Sequence, residues 1–295
     1  MGLIITPCVG TDKQPKPYVL QKPVCDKITR FFRGDILKIL VTNDDGVNAD
    51  GLWTLVAQLK EVGEVTVVAP DREQSGVGTS ISFHHPIRLT RIHEKIHGID
   101  TYSVEGTPAD SVIMAVKVVM KDGIDLVVSG INQGPNCGYD VFLSGTVGAA
   151  LQGFFYSIPS IAVSMNSFTN PKFATGAKVA REVVRYVMNK GIKGKMLLNL
   201  NVPDLPLGEI AGVDVTKLGE KIYSAGIETG NDGRKDYYWI LHRGTDMADV
   251  SGTDLWALKR KRVSITPLRF NRREYSTEFA HELAAAVAGR LASKK

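Results

Sequence analysis

The feature that most constrains the fold is a series of strands that are apolar on both faces and alternate with amphipathic helices. Residues 36–42 form a continuous apolar strand, residues 49–61 carry leucine and valine at helical spacing, and residues 64–69 form a second apolar strand. A strand–helix–strand order joins parallel neighbours, and strands that are apolar on both faces need a covering layer on each side. The sequence therefore predicts an α/β fold, a Rossmann-like, mostly parallel sheet with helices on both faces.

The same alternation continues along most of the chain. Residues 83–104 carry alternating apolar positions around a glycine and are interpreted as a hairpin excursion. Thr107, Pro108 and Asp110 have the order of a helix start, with a capping hydroxyl, a proline in the first turn and an acid. Further strands are predicted at residues 125–129, 160–164 and 196–201, and further helices at residues 144–156 and 173–188.

Residues 36–295 are interpreted as one α/β domain. Within it, residues 213–268 contain Pro, Gly and aromatic residues and are predicted to form hairpin arms, and residues 277–293 are predicted to form a C-terminal helix. Residues 1–35 show no sustained period and are expected to be a poorly ordered N-terminal extension.

The composition excludes several classes of protein. The chain is 43% hydrophobic and 23% charged, and no apolar stretch approaches the ~20 residues of a membrane span, so no membrane partner is expected. The net charge of +5 suits an anionic ligand, but the densest basic run, residues 259–262, is short and lacks interleaved aromatic residues, so no nucleic acid is expected. The three cysteines lack metal-ligand spacing and indicate a cytoplasmic protein.

Three of the predicted strands are followed by polar, glycine-rich loops. These loops read NDDG at residues 43–46, PDREQSG at 70–76 and SGINQGPN at 129–136. Because ligands of an open parallel sheet bind outside the carboxyl ends of its strands, we expect two carboxylates, a hydroxyl and an amide to face one another there. Such an all-oxygen set suits a hard divalent cation, Mg²⁺ or Mn²⁺, whereas zinc would call for histidine or cysteine.

Two of these features also have a purely structural interpretation. Asn, Asp and Gly leave a strand easily, so the NDDG segment could be only a turn. The SGTVG segment at residues 144–148 opens a helix with small residues, which either leave backbone N–H groups free for an anion or only allow close packing on the sheet. If both features are functional, a cation beside a helix N-terminus makes a phosphate site, and the expected chemistry is metal-assisted hydrolysis.

Several motifs in register point to a known family. The segments ILVTNDDGVNADG, VVAPDREQSG, VEGTPADSV, DLVVSGINQGPN and SGTVGAALQG, followed by LNLNVPDLP and SITPL, stand in the order found in the SurE family of metal-dependent nucleotidases. Each motif alone is weak, but five in register are specific. The chain resembles this family over residues 36–268.

The resemblance implies a set of site residues and an activity. It implies one divalent metal ion per subunit and phosphomonoesterase activity on nucleoside 5′-monophosphates, with 3′-monophosphates and short polyphosphate as further substrates. It also implies a homodimer or homotetramer in which the hairpin arms of residues 213–268 serve oligomerisation. Asp44 is expected to act as an acid or base, or as the nucleophile. The implied metal ligands are Asp44, Asp45, Ser75 and Asn132, and the residues expected around the phosphate are Asn43, Gly76, Asn136, Ser144, Gly145 and Thr146.

The chain departs from the family pattern at two places outside the metal loops. Lys217 stands where the family often has arginine, and Lys261 and Arg262 replace a Gly-Tyr pair, which leaves the arm geometry and the substrate preference open. A signalling receiver is disfavoured, because it would need a phosphoacceptor aspartate after the third strand, where this chain reads SGIN. A non-catalytic nucleotide-binding module is the remaining alternative, since the same pocket could bind a nucleotide without turnover.

Overall fold

The centre of the structure is a large sheet built from strands along the whole described chain. The computed structural model describes residues 36–220, 224–243 and 250–268, and the predicted extension at 1–35 and helix at 277–293 lie outside these residues. The strands in the described residues are β1 (Lys38–Thr42), β2 (Glu64–Pro70), β3 (Leu89–Arg91), β4 (Asp100–Val104), β5 (Leu126–Gln133), β6 (Ser160–Asn166), β7 (Leu197–Pro203), β8 (Gly212–Val215), β9 (Ser224–Asn231), β10 (Asp236–Arg243) and β11 (Arg262–Pro267).

The strand order of the sheet is β3-β4-β2-β1-β5-β6-β7-β11-β8, and β9 and β10 pair separately. Strand β1 pairs in parallel with β2 on one side and with β5 on the other. The chain moves from β1 towards β2 and β4 in one direction and from β5 towards β7 in the other. The order therefore reverses between β1 and β5, and such a switch point opens the crevice in which open α/β sheets bind ligands.

Helices cover both faces of the sheet, as predicted. The helices are α1 (Asp50–Leu59), α2 (Pro108–Met114), α3 (Gly145–Phe155), α4 (Phe173–Asn189) and α5 (Asp254–Lys259), and one π-helical turn, Ala115–Val119, continues α2. Thr107 caps α2 and exchanges hydrogen bonds with Asp110, as the sequence predicts. In the described part of the chain, no helix combines the length and the apolar character that crossing a membrane requires.

Side chains of β1 show why the strands are apolar on both faces. Ile39 and Val41 are fully buried in the cluster that contains the apolar faces of α1 and α4. Leu40 between them is fully buried in a second cluster with Val112 of α2 and Ala149 of α3. Each apolar side chain of a central strand thus has a helix layer to pack against, which confirms the predicted doubly covered sheet.

The region predicted as hairpin arms, residues 213–268, is divided between two sheets. Strands β9 and β10 form an antiparallel hairpin, in agreement with the prediction. In contrast, β11 pairs antiparallel with β7 and parallel with β8, so both β8 and β11 belong to the main sheet. The short helix α5 between the hairpin and β11 is not among the predicted elements, because its six residues are too few to show a helical period.

The third polar loop begins later than the sequence suggests. Strand β5 runs on to Gln133, with a shift of register against β6 between Ser129 and Asn132, so Asn132 lies in the strand and not in a loop. Gly130 lies in this irregular part with a φ of 137°, and a Cβ there would overlap the Val163 carbonyl oxygen. The sequence predicts the end of the strand at this glycine, but a glycine inside a strand pattern also marks such a close approach.

Candidate metal and phosphate site

Asp44 lies at the carboxyl end of β1 and is only 3% exposed. The Thr146 hydroxyl, in the first turn of α3, donates a short hydrogen bond to Asp44 Oδ1. The Asp44 carbonyl accepts from the backbone N–H of Gln74, at 2.7 Å, so the first and second loops are joined directly. Asn43 closes the turn, because its side-chain Nδ2 donates to the Gly46 carbonyl at 2.9 Å.

The start of α3 approaches Asp44 very closely. A Cβ at Gly145 would lie 2.7 Å from Asp44 Cβ and 3.0 Å from Asp44 Oδ2, well inside ordinary contact distance. The Ser144 hydroxyl caps the helix by accepting from the backbone N–H of Val147, at 3.1 Å. The sequence left open whether the small residues here serve packing or anion binding; the contact between Gly145 and Asp44 supports close packing without excluding the anion.

The two aspartates carry their charge in a poorly solvated position. Burial raises the pKa of Asp44, and the hydrogen bonds from Thr146 only partly oppose this effect. Burial and the neighbouring Asp44 charge raise the pKa of Asp45 to about 7, while the backbone N–H of Gln133 donates to its carboxylate and opposes the increase. Glu73 raises both values further.

No lysine or arginine in the described ranges forms an ion pair with Asp44 or Asp45. A buried carboxylate beside a half-buried one, without a cationic partner, is unfavourable unless a positive charge offsets the pair. In addition, Asn43 Oδ1 is buried without a hydrogen-bond donor. The donor set around this point, rich in oxygen and short of positive charge, fits a divalent cation.

Ser75 in the second loop and Asn132 near the end of β5 each keep an oxygen atom available. The Ser75 hydroxyl donates to Glu73 Oε1 at 2.8 Å, which leaves the lone pairs of its oxygen available. The Asn132 amide nitrogen donates to the Gly134 carbonyl at 2.8 Å, so its amide oxygen is the atom left to act as a ligand. Among the described residues, no three His, Cys, Asp or Glu side chains are arranged to hold a metal ion. The expected ligand set is of another kind, because it has only two carboxylates and completes them with a hydroxyl and an amide.

An open cleft of about 510 Å³ lies beside Asp45. Of the four expected metal ligands, Asp45 and Ser75 line it. The other lining residues are Ala49, Asp50, Gly51, Glu73, Gln133, Phe168 and Phe173. Its wall is therefore acidic and polar on the side of the first two loops, and aromatic on the side of the segment between β6 and α4.

Two residues expected around the phosphate have different surroundings. Gly76 has a φ of 75° and open space where a Cβ would lie. Asn136 is buried, and its side chain donates to Ser164 Oγ at 2.8 Å, while its backbone carbonyl accepts from the side chains of Asn199 and Asn201 at 2.8 and 3.0 Å. These contacts tie the third loop to β6 and β7.

Sequence reasoning missed the acid Glu73 and the cleft residues Gln133, Phe168 and Phe173. Glu73 and Gln133 stand next to predicted site residues in the second and third loops, so their position in the motifs was the available signal. Phe168 follows β6, and the rule that ligands bind beyond the carboxyl ends of parallel strands would have included its loop.

Relatives of known family match most of the chain. The family model described as "Survival protein SurE" matches residues 39–225. A protein named "5′-nucleotidase SurE" from Dehalococcoides mccartyi is 47% identical over 234 residues, which are 79% of this chain and 88% of that protein. A protein of the same name from Geobacter metallireducens is 42% identical over 243 residues, which are 82% of this chain and 94% of that protein.

A solved structure is also similar. The crystal structure of the SurE protein from Aquifex aeolicus superposes with a TM-score of 0.71 at 38% sequence identity, covering 84% of this chain and 99% of that one. Its likeness agrees with the parallel sheet and the helix layers described above. The matches in sequence and in structure confirm the resemblance that the motifs indicated, and the chain belongs to the SurE family.

Proposed function

We propose that this chain is a divalent-metal-dependent phosphomonoesterase that hydrolyses nucleoside 5′-monophosphates to nucleoside and phosphate. The relatives named 5′-nucleotidase support the reaction class. The observation in the structure that carries the proposal is the pair of poorly solvated carboxylates, Asp44 and Asp45, which face no cationic side chain in the described residues. A divalent cation there would give this pair the positive charge that no ion pair among the described residues supplies, and it would offset the repulsion between the carboxylates and a dianionic phosphate.

The proposed ligands of the metal ion are oxygen atoms of four side chains, those of Asp44, Asp45, Ser75 and Asn132. Mg²⁺ or Mn²⁺ fits such a set, and we propose one ion per subunit. When bound, the ion would supply positive charge that stabilises the phosphoryl oxygens and makes a nearby water more acidic. The Asn132 nitrogen is held by the Gly134 carbonyl, so its amide oxygen is the atom that would bind the ion.

The remaining proposed roles belong to residues that bind and orient the phosphate. The first turn of α3, residues 144–146, begins beside Asp44, and its backbone N–H groups, together with that of Gly76, would bind the anion. Asn43 and Asn136 would act at the rim of the phosphate position. Asp44 is the proposed catalytic residue, since the Thr146 hydroxyl holds its Oδ1 and thereby orients the carboxylate as a base or nucleophile.

The test is phosphate release from nucleoside 5′-monophosphates by the purified full chain, with Mg²⁺ or Mn²⁺ and with excess chelator. We expect turnover that requires the divalent ion and that falls at least tenfold in Asp45→Ala, which corresponds to about 1.4 kcal/mol of barrier or more. Asp122→Ala is the matched control, because this exposed carboxylate precedes β5 at the opposite end of the strand. Tight nucleotide binding by the wild type without any phosphate release would favour the non-catalytic binding module instead.

Four further points are part of the proposal. The protein is proposed to form a homodimer or homotetramer through residues 213–268, which include the exposed β9–β10 hairpin. It is also proposed to be cytoplasmic, in accord with its three scattered cysteines. The division of the chain into an extension at 1–35 and a catalytic domain at 36–295 is also a proposal. A substrate panel that includes 3′-monophosphates and short polyphosphate would define how broad the activity is.

A further inference from the structure

The aromatic wall of the cleft has no role in the chemistry proposed above. Phe168 and Phe173 line the same cleft as Asp45, and neither side chain has an oxygen or nitrogen that could bind metal or phosphate. Phe173 also packs against the main core cluster, which accounts for its position. Phe168 is 63% exposed, so packing in the core does not explain why an aromatic residue stands at this position.

The position of Phe168 is nevertheless well defined. Its ring lies directly over Gly134, so that a Cβ at Gly134 would overlap the ring. Its backbone carbonyl accepts a short hydrogen bond from the Gln133 side-chain amide. Because the backbone N–H of the same Gln133 donates to the Asp45 carboxylate, Phe168 is connected to the proposed metal ligand through a single residue.

The other side of the Phe168 ring is open. No aromatic ring from the part of the chain that the structure describes is paired with it. The open ring face belongs to a cleft of about 510 Å³, which is within the roughly 300–1,000 Å³ of small-molecule sites. An exposed aromatic ring on a rigid backbone is the usual platform for a planar, π-bearing ligand group.

We propose that Phe168 stacks on the nucleobase of the substrate and so makes the site selective for nucleotides over phosphomonoesters that lack a base. This inference rests on the proposed function. A nucleoside 5′-monophosphate has a dianionic group at one end and a flat aromatic base at the other, and the cleft offers a partner for each, because the proposed metal ligands Asp45 and Ser75 and the Phe168 ring all line it. The ribose would span the polar middle, near Gln133.

The test compares adenosine 5′-monophosphate with ribose 5-phosphate, which has the same phosphate and sugar but no base. For Phe168→Ala we expect kcat/KM for the nucleotide to fall about tenfold, mostly through KM, while kcat/KM for ribose 5-phosphate changes less than about twofold. Phe168→Tyr keeps the ring and is expected to retain the wild-type preference, whereas Phe168→Leu keeps apolar packing on Gly134 and is expected to lose it.

The matched control is Phe155→Ala, because Phe155 is a similarly exposed phenylalanine, 58%, at the end of α3 and outside the cleft. It is expected to leave both substrates unaffected. Equal losses for the nucleotide and for ribose 5-phosphate in Phe168→Ala, or no loss for either, would overturn the proposal.

Failure of the proposed function gives a different result, in which the wild type releases phosphate from neither compound. In that case the equilibrium binding of the two compounds, measured by calorimetry with Mg²⁺ present, decides the role of Phe168. Weaker nucleotide binding in Phe168→Ala supports the stacking role, and unchanged nucleotide binding overturns it.

Discussion

Replacing Asp45 with asparagine is expected to stabilise the metal-free protein at alkaline pH. Burial and the Asp44 charge raise the pKa of Asp45 from 3.8 to about 7, so the folded state holds this proton more tightly than the unfolded chain does. Between about pH 4 and about pH 7 the folded state therefore binds more protons, and the free energy of unfolding falls as the pH rises through this window. Asparagine is neutral throughout, so Asp45→Asn removes this loss of stability.

The size of the effect follows from the two pKa values. The difference between 3.8 and about 7 corresponds to about 4 kcal/mol when the loss is complete. About 2.5 kcal/mol of it falls between about pH 5 and about pH 8, because the carboxyl group of the folded protein is almost entirely protonated at the lower value. The asparagine keeps an oxygen that can accept from the Gln133 N–H, so the substitution removes the charge and not the contact.

The assay is urea unfolding in the presence of a chelator, at about pH 5 and about pH 8. The stability of Asp45→Asn relative to the wild type is expected to increase by about 2–3 kcal/mol from the lower to the higher pH. Asp122→Asn removes an exposed carboxylate and is expected to change stability by less than about 0.5 kcal/mol at either pH. If the relative stability of Asp45→Asn is the same at both pH values, Asp45 is not a poorly solvated, uncompensated charge.

Two further substitutions test contacts behind the site. Gly145→Ala would force a methyl group to 2.7 Å from Asp44 Cβ. Because this displaces Asp44, we expect phosphate release in steady-state kinetics to fall at least tenfold, which corresponds to about 1.4 kcal/mol of barrier. The control Gly208→Ala, whose methyl group meets open space, is expected to have no effect. Full activity of Gly145→Ala would mean that Asp44 tolerates displacement. Asp254→Ala is expected to lower the free energy of unfolding by about 3 kcal/mol or more in urea, and a loss below about 1 kcal/mol would contradict a structural role. It leaves three buried backbone N–H groups unpaired, those of Gly138, Gly219 and Leu255.

The central strands and the first polar loop could be predicted because their signals are local. The apolar run that becomes β1 ends at Asn43, Asp44 and Asp45, and both the period of the strand and the turn chemistry after it are contained in nine residues. The signals that decide which strands join the far edge of the sheet are not local. Strand β11 reads like one arm of a hairpin, but its partners are β7 and β8, which lie far away along the chain.

The contacts of individual site residues also depend on strands that are distant in the sequence. Asn136 follows a Gly-Pro turn and looks like a phosphate ligand, but its contacts with Asn199 and Asn201 depend on β7, more than sixty residues later in the chain. Phe168 looks like an ordinary loop residue, and only the pairing of β6 beside β5 brings its ring over Gly134. Residue types and turns indicate which side chains are available, and the strand order decides which of them meet.

The position of β11 between β7 and β8 also bears on synthesis from the ribosome. Within the described residues β8 hydrogen-bonds to β11 and to no other strand, although β8 leaves the ribosome nearly fifty residues earlier. During translation β8 therefore remains an unpaired segment until β11 is made, while β1 to β6 already have every strand partner that they need to assemble. The β9–β10 hairpin between β8 and β11 pairs with no strand of the main sheet, so its length can change at little thermodynamic cost to this edge.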